Sequence, residues 1–108
     1  MKDKQALHDD NGWKFFVGQW SIGATDPSGK PRFVITLNED FTAKKSHVPN
    51  ATGKWEYVSG EARVTWSDGW RDTLRREGKE YRKVAFRPGT TFDSPPDNTE
   101  SAEKKTVE

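Results

Sequence analysis

Hydrophobic and polar side chains alternate with a period of two along most of this chain, and few folds accommodate that pattern. In the stretch "ARVTW", Ala62, Val64 and Trp66 share one face of a strand while Arg63 and Thr65 share the other. Short turn signals such as "DPSG", "SGE" and "SDG" separate the alternating segments, and no segment repeats with the helical period. The pattern predicts an antiparallel, all-β domain.

The connections between these segments are so short that each strand is expected to pair with its neighbour in the sequence. We expect seven to eight strands between residues 13 and 87, arranged as an up-and-down meander. An open meander leaves two unpaired edges, and closing it into a barrel removes both. The sequence therefore predicts a small antiparallel β-barrel over residues 13–87.

Charge and composition divide the chain into three parts. Residues 13–87 carry 14 basic and 9 acidic side chains, whereas residues 88–108 carry 2 basic and 5 acidic ones. The last part has three prolines and one aromatic residue, which is too little apolar surface to offset the entropy lost on folding. We expect a disordered acidic tail at 88–108 and a flexible arm at 1–12.

The absence of cysteine excludes a disulfide framework, a thiol nucleophile and a cysteine-based zinc site. No apolar run is long enough to cross a membrane, and the charged start "MKDKQALHDD" lacks the pattern of a signal peptide. These features favour a cytoplasmic monomer, although a secreted chain whose signal peptide had been removed would show the same sequence.

Few residues in the sequence are suited to catalysis. His8 and His47 are far apart and have no carboxylate cluster at metal-ligand spacing, so we expect neither a metal site nor a cofactor. Asp68 and Asp72 flank "GWR", and an acid–base pair is one interpretation of them. However, Asp68 suits the turn, and Asp72 alternates with arginines as in a cross-strand ion pair. The sequence predicts no catalytic residue and no enzyme activity.

Aromatic and basic residues concentrate in the second half of the chain. Trp66 and Trp70 lie on the two sides of the "SDG" turn, with Trp55 on the strand that precedes "ARVTW" and Arg76 on the strand after the turn. One interpretation is a ligand mouth in which the indoles hold an apolar body and Arg76 binds a carboxylate through two parallel hydrogen bonds. The simpler interpretation is that the aromatic residues form the core and the arginines a solvated face.

A third interpretation of the same residues is binding of single-stranded nucleic acid, with arginines on phosphates and indoles stacked on bases. The net charge of residues 13–87 is modest, and its basic residues are interleaved with acidic ones. No RNA-binding signature is present either. Nucleic acid is therefore the least favoured of the three.

One short motif resembles a known superfamily. In "FFVGQW", Gly18 and Trp20 resemble the Gly-x-Trp signature on the first strand of the lipocalin, fatty-acid-binding and avidin superfamily. The resemblance implies a barrel closed at one end by Trp20, which packs beneath an arginine from the last strand. Chain geometry favours Arg87 as that arginine, whereas strand parity favours Arg82, and we take Arg87.

These features together predict a non-catalytic binding domain. The first ligand class is a small apolar or amphipathic acid, held by Trp55, Trp66, Trp70 and Arg76. The alternative is a protein-interaction module whose barrel is filled by its own side chains, because a barrel this small leaves little room inside. An empty or a filled interior distinguishes the two hypotheses.

Overall fold

The computed structural model describes residues 12–23, 32–46 and 51–105. Its strands form a closed antiparallel barrel in which each strand pairs with its neighbours in sequence and the last pairs with the first. The prediction of an all-β, up-and-down barrel is confirmed. The eight strands are β1 (Gly18–Ile22), β2 (Phe33–Leu37), β3 (Thr42–Lys45), β4 (Ala51–Val58), β5 (Glu61–Trp66), β6 (Arg71–Glu77), β7 (Glu80–Phe86) and β8 (Asn98–Lys104).

A short helical turn at residues 12–16 leads into β1. The ring of Phe16 stacks on Trp20 at 5.7 Å, and Trp13 contacts Phe41 of the β2–β3 turn at 5.1 Å. The turn therefore covers one end of the barrel, which we term the helix end. The opposite end carries the β5–β6 turn and the 87–97 segment, and we term it the loop end. No helix among the described residues is long and apolar enough to span a membrane.

Strand β8 lies within the segment predicted to be a disordered tail. It pairs with β7 through Tyr81↔Ala102 and with β1 through Ile22↔Ala102, and thereby closes the barrel. The tail prediction is therefore wrong for residues 88–105, and the barrel extends to Lys104 instead of ending at residue 87. The composition was misleading because β8 contributes mainly charged partners and only one apolar side chain, Ala102, to the interior. Residues 106–108 and the predicted arm, apart from Gly12, lie outside the described residues, as do His8 and His47.

Trp20 is fully buried at the helix end. Its indole Nε1 donates a hydrogen bond to Phe16 O at 3.0 Å, so the one polar atom of the ring is satisfied. The ring of Tyr81 lies 5.3 Å from it, and Phe15 lies 5.9 Å away. Trp20 thus packs within an aromatic cluster that closes this end of the barrel.

The arginine assigned to Trp20 from the resemblance is not there. Arg87 is exposed at the loop end and pairs with Asp97, and Arg82 pairs with Glu77 on the neighbouring strand. The assignment of Arg87 was wrong because β8 inserts between β7 and β1. The residue opposite Trp20 on that side is Lys104 of β8.

The inward-facing side chains are tightly enclosed. Ile35, Val64 and Leu74 have no exposed surface; Ile35 lies on β2, and the other two lie on the adjacent strands β5 and β6. A cavity large enough for water would leave exposed area on the side chains that line it. The barrel is therefore filled at these positions. The buried cluster comprises Phe16, Trp20, Ile22, Phe33, Ile35, Leu37, Ala43, Ala51, Trp55, Ala62, Val64, Trp66, Leu74 and Ala102.

A second buried layer lies outside the barrel wall. Thr73, Val84 and Phe86 alternate with the inward-facing positions of β6 and β7, yet each is at most 3% exposed. The ring of Phe92 packs edge-on against Phe86 at 5.8 Å. The 87–97 segment therefore folds back over the outer face of the sheet.

Candidate functional site

The residues predicted to form a ligand mouth lie at opposite ends of the barrel. Trp66 ends β5 and Trp70 precedes β6, both at the loop end. Arg76 is six residues beyond Trp70, or about 20 Å at roughly 3.3 Å per residue of extended strand. Its Nε donates to Gly78 O at 2.8 Å in the turn that follows β6. The structure does not bring Arg76 to the two indoles, so the predicted mouth is not assembled.

Two of the predicted ligand-binding indoles are committed to the core. Trp66 is buried, and its Nε1 donates to Asp72 Oδ2 at 2.7 Å. Trp55 is buried towards the helix end, where its Nε1 donates to Asn38 O at 3.0 Å. Trp70 is half-buried against the same core. These contacts favour the core interpretation of Trp55 and Trp66.

A row of charged side chains runs from the surface at the loop end into the barrel interior, and we term Arg32, Glu100, Lys83 and Asp72 the ion chain. Lys83 Nζ lies 2.8 Å from Glu100 Oε1 and 3.9 Å from Asp72 Oδ1. Both carboxylate oxygens of Glu100 also accept hydrogen bonds from the guanidinium of Arg32. The side chains of Lys83 and Asp72 are each 5% exposed. Buried charges persist only when they are paired in this way.

Lys45 is a further cation in the interior. Its Nζ lies 3.3 Å from Asp68 Oδ2 and 4.8 Å from the centre of the Trp66 ring. Asp68 also accepts a hydrogen bond from the backbone N–H of Trp70 at 3.0 Å, which holds the β5–β6 turn. Asp68 and Asp72 are therefore engaged by different lysines, Lys45 and Lys83 respectively.

The two acids of the ion chain differ in their electrostatics. Burial raises the pKa of Asp72, and the charge of Lys83 and the hydrogen bond from Trp66 offset this only in part. Burial would also raise the pKa of Glu100, but hydrogen bonds from Arg32 and Lys83 lower it overall. The stronger partners of Glu100 thus keep it ionised, while Asp72 is the more easily protonated.

The ion chain and the Lys45–Asp68 pair together carry no excess charge, since they contain three cations and three carboxylates. A neutral, fully paired set of charges has little attraction for an incoming anion. The members of this balanced set are Arg32, Lys45 and Lys83 with Asp68, Asp72 and Glu100.

A second charged cluster lies on the outer face of β5 and β6. Arg63 Nε lies 2.8 Å from Glu61 Oε2, and Arg75 Nε lies 3.3 Å from the other oxygen of the same carboxylate. Together with Arg76 and Phe92 these residues line a surface cleft of about 620 Å³, which we term the arginine cleft.

Phe92 forms the aromatic wall of the arginine cleft. The guanidinium carbon of Arg63 lies 5.3 Å from the centre of its ring, and that of Arg71 lies 5.9 Å away. A guanidinium at this distance from an aromatic face gains a cation–π attraction. Arg71 also donates a hydrogen bond to Thr90 O, so it ties the 87–97 segment to β6.

Hydrogen bonds within the 87–97 segment hold this wall in place. The backbone N–H of Arg87 donates to Asp97 Oδ2 at 2.8 Å, and the N–H of Asp97 donates to Ala85 O at 2.8 Å. Thr91 N–H donates to Ser94 Oγ at 3.0 Å. A side chain held by such a network loses little entropy when a partner binds.

Of the two clusters, the sequence pointed only to Asp72, as an ion-pair residue, and to Arg76. Phe92 was assigned to the tail, although a lone aromatic residue among the turn-forming residues of "PGTTFDSPP" was a signal that this segment packs on something. Arg63 and Arg75 were treated only as part of a solvated face. Lys83 and Glu100 give no hydrophobic signal, so alternation could not place them inside.

Comparisons with protein-family models, with curated proteins and with solved structures found no match to this chain.

Proposed function

We propose that this domain is a non-catalytic binding module that contacts a partner protein through the outer surface of a filled barrel. The observation that carries the proposal is the complete burial of Ile35, Val64 and Leu74. A small-molecule site is typically a cavity of about 300–1,000 Å³, and the side chains lining it keep exposed area. With the interior filled, the partner protein binds to the outer surface of the barrel.

The interior charges support the same conclusion. An anionic ligand inside the barrel would need a cation that is free to bind it. Lys83 is already held by Glu100 at 2.8 Å, and Lys45 by Asp68 at 3.3 Å. The ligand would have to compete with these carboxylates for the lysine, which lowers the gain from binding.

Titration of the full chain with dodecanoate and with dodecanol, followed by tryptophan fluorescence, tests the proposal. Trp66 and Trp55 report on the two halves of the interior because both are buried there. We expect no saturable change with either compound. A saturable change with dodecanoate would overturn the filled-barrel function.

The alternative function is a carrier of a small amphipathic acid. One observation favours it: Lys45 places a cation 4.8 Å from the Trp66 ring at the loop end, so a cation and an indole lie side by side. This function predicts that dodecanoate binds, that dodecanol does not, and that Lys45→Gln abolishes the difference. The same titration therefore separates the two functions.

We also propose a relationship to the lipocalin, fatty-acid-binding and avidin superfamily. The support is Gly18 and Trp20 on the first strand of a closed eight-stranded barrel, with Trp20 buried beneath a helical turn. Gly18 has a φ of 129°, a conformation that glycine adopts far more readily than other residues. Replacing Gly18 with alanine is therefore expected to destabilise the entry to β1.

A further inference from the structure

We infer that the arginine cleft binds a carboxylate-bearing segment of a partner protein. The inference rests on the proposed function and names the surface and the partner chemistry that it uses. Arg63, Arg75 and Arg76 line the cleft with Phe92, so guanidinium groups and an aromatic ring face the same space. That combination suits an acidic peptide. The guanidinium groups can each donate two parallel hydrogen bonds to a carboxylate, and the peptide backbone can pack on the aromatic ring.

The cleft has fewer acids than arginines. One carboxylate, Glu61, serves both Arg63 and Arg75. Arg76 has no carboxylate within ion-pair distance in the parts of the chain that the structure describes, and bonds only to Gly78 O. Asp93 also lines the cleft, which leaves one positive charge in excess.

Arg75 is the least satisfied of the three arginines. Its Nε is buried and lies 3.3 Å from Glu61 Oε1, but the geometry does not make a hydrogen bond. The Nε of Arg63, by contrast, makes a hydrogen bond of 2.8 Å to Glu61 Oε2. A donor without an aligned acceptor is costly when buried, and an incoming carboxylate that draws the guanidinium outward relieves that cost.

The walls of the cleft do not need to form on binding. Phe92 is fixed against Phe86, and the 87–97 segment that carries it is held by its own hydrogen bonds. On the opposite side, Ser59 and Gly60 form a tight turn with positive φ values of 53° and 82°. A preformed cleft lowers the entropy lost on association.

An acidic peptide fits this surface better than nucleic acid does. The acids Glu61 and Asp93 line the cleft beside the arginines. A phosphate backbone would pass close to these acids, whereas a peptide can place one or two carboxylates on the guanidiniums and leave the rest of its length neutral. Nucleic-acid binding usually needs several phosphate contacts along a basic surface.

The test measures fluorescence anisotropy of a labelled peptide of alternating glutamate and serine against the full chain, with a glutamine–serine peptide and an oligothymidylate as further probes. We expect binding of the glutamate peptide, weakened about tenfold by Arg75→Gln, which corresponds to about 1.4 kcal/mol. Arg75→Lys keeps the positive charge but lacks the planar guanidinium that can donate two parallel hydrogen bonds, so it should give an intermediate loss of peptide affinity. Lys44→Gln removes the same charge from an exposed position on β3 and should change affinity less than about twofold.

Equal affinity for the Arg75→Gln and Lys44→Gln proteins would overturn the assignment, as would equal binding of the glutamate and glutamine peptides. Tighter binding of oligothymidylate, weakened by Arg75→Gln, would assign the cleft to nucleic acid instead. Circular dichroism melting curves of the variants show whether each is folded, and Arg75→Lys keeps the test valid if Arg75→Gln is not. Failure to bind any probe overturns this assignment alone, whereas saturation by dodecanoate overturns the proposed function.

Discussion

Lys83 Nζ and Glu100 Oε1 lie 2.8 Å apart and join β7 to β8, the strand that closes the barrel. Glu100 is held from its other side by Arg32, which precedes β2. Charge-assisted hydrogen bonds are stronger than neutral ones, and here they take the place of apolar packing on the inner face of β8. This pair therefore adds to the backbone pairing that holds the last strand in the sheet.

Glu100→Gln is expected to lower the free energy of unfolding by about 1–3 kcal/mol near neutral pH, because Lys83 and Arg32 lose an ionised acceptor. Folding lowers the pKa of Glu100 below its usual value of 4.5, so its contribution is present above that value and is lost as the pH falls through the folded pKa. Urea unfolding of both proteins across acidic and neutral pH measures this. A difference that does not shrink in acid would contradict the ion pair.

Asp72→Asn is expected to show the opposite pH dependence. Burial raises the folded pKa of Asp72 above its usual 3.8, so its favourable contribution is present below that value and is lost as the pH rises through the folded pKa. Asparagine does not titrate, and its oxygen still accepts the hydrogen bond from Trp66. The stability of the variant relative to the parent should therefore increase with pH in the same urea series. A relative stability that falls with pH would show that Asp72 is stabilised as a carboxylate.

The alternation and the turn signals together were sufficient to predict strands β2 to β7. Strands β2 and β5 bury an apolar side chain at every second position, whereas β3, β6 and β7 each bury one charged residue, Lys45, Asp72 and Lys83 respectively. The alternation did not predict strand β8, because only one of its inward residues is apolar, Ala102. The other inward residues are Asn98, Glu100 and Lys104. Its charged residues are recognisable as inward-facing only once Lys83 and Arg32 are placed opposite them. Pairing across the sheet is a tertiary property, and no local pattern in the sequence carries it.

The register of β8 can be tested with a matched pair of variants. Ala102 faces inward between Ile22 and Tyr81 and is 7% exposed, whereas its neighbour Ser101 is exposed on the outer face. Ala102→Asp buries a carboxylate without a partner and should cost about 3 kcal/mol or more, whereas Ser101→Asp should cost less than about 0.5 kcal/mol. Thermal melting compares the two. Equal losses would mean that β8 does not hold this register.

The candidate site was less predictable than the fold. Trp66 and Trp70 were correctly placed beside one turn, but Arg76 was joined to them by closeness in sequence, and an extended strand carries it to the far end of the barrel. The arginine cleft needs Arg63 and Phe92 to meet, although they are far apart in sequence. That contact depends on the return of the 87–97 segment over the sheet.

Trp20 and Trp70 offer a second matched pair. Trp20 is fully buried and its N–H is bonded to Phe16 O, while Trp70 is only half-buried at the β5–β6 turn. Trp20→Ala should reduce the free energy of unfolding by about 3–5 kcal/mol, and Trp70→Ala should reduce it by clearly less. Chemical denaturation gives both values. Equal losses of unfolding free energy in the two variants would contradict a dominant role of Trp20 in packing the helix end.

The most direct test of the filled barrel is the NMR response of inward-facing methyl groups while dodecanoate is added to the full chain. Val64, Leu74 and Ile35 have no exposed surface, and they face the interior from β2 on one side and from the adjacent strands β5 and β6 on the other. A ligand inside the barrel would have to touch or displace their methyl groups, so their chemical shifts report its entry. We predict that these signals stay unchanged up to the solubility limit of the acid. Saturable shifts at all three residues would contradict the account and would establish that the barrel opens to hold a ligand.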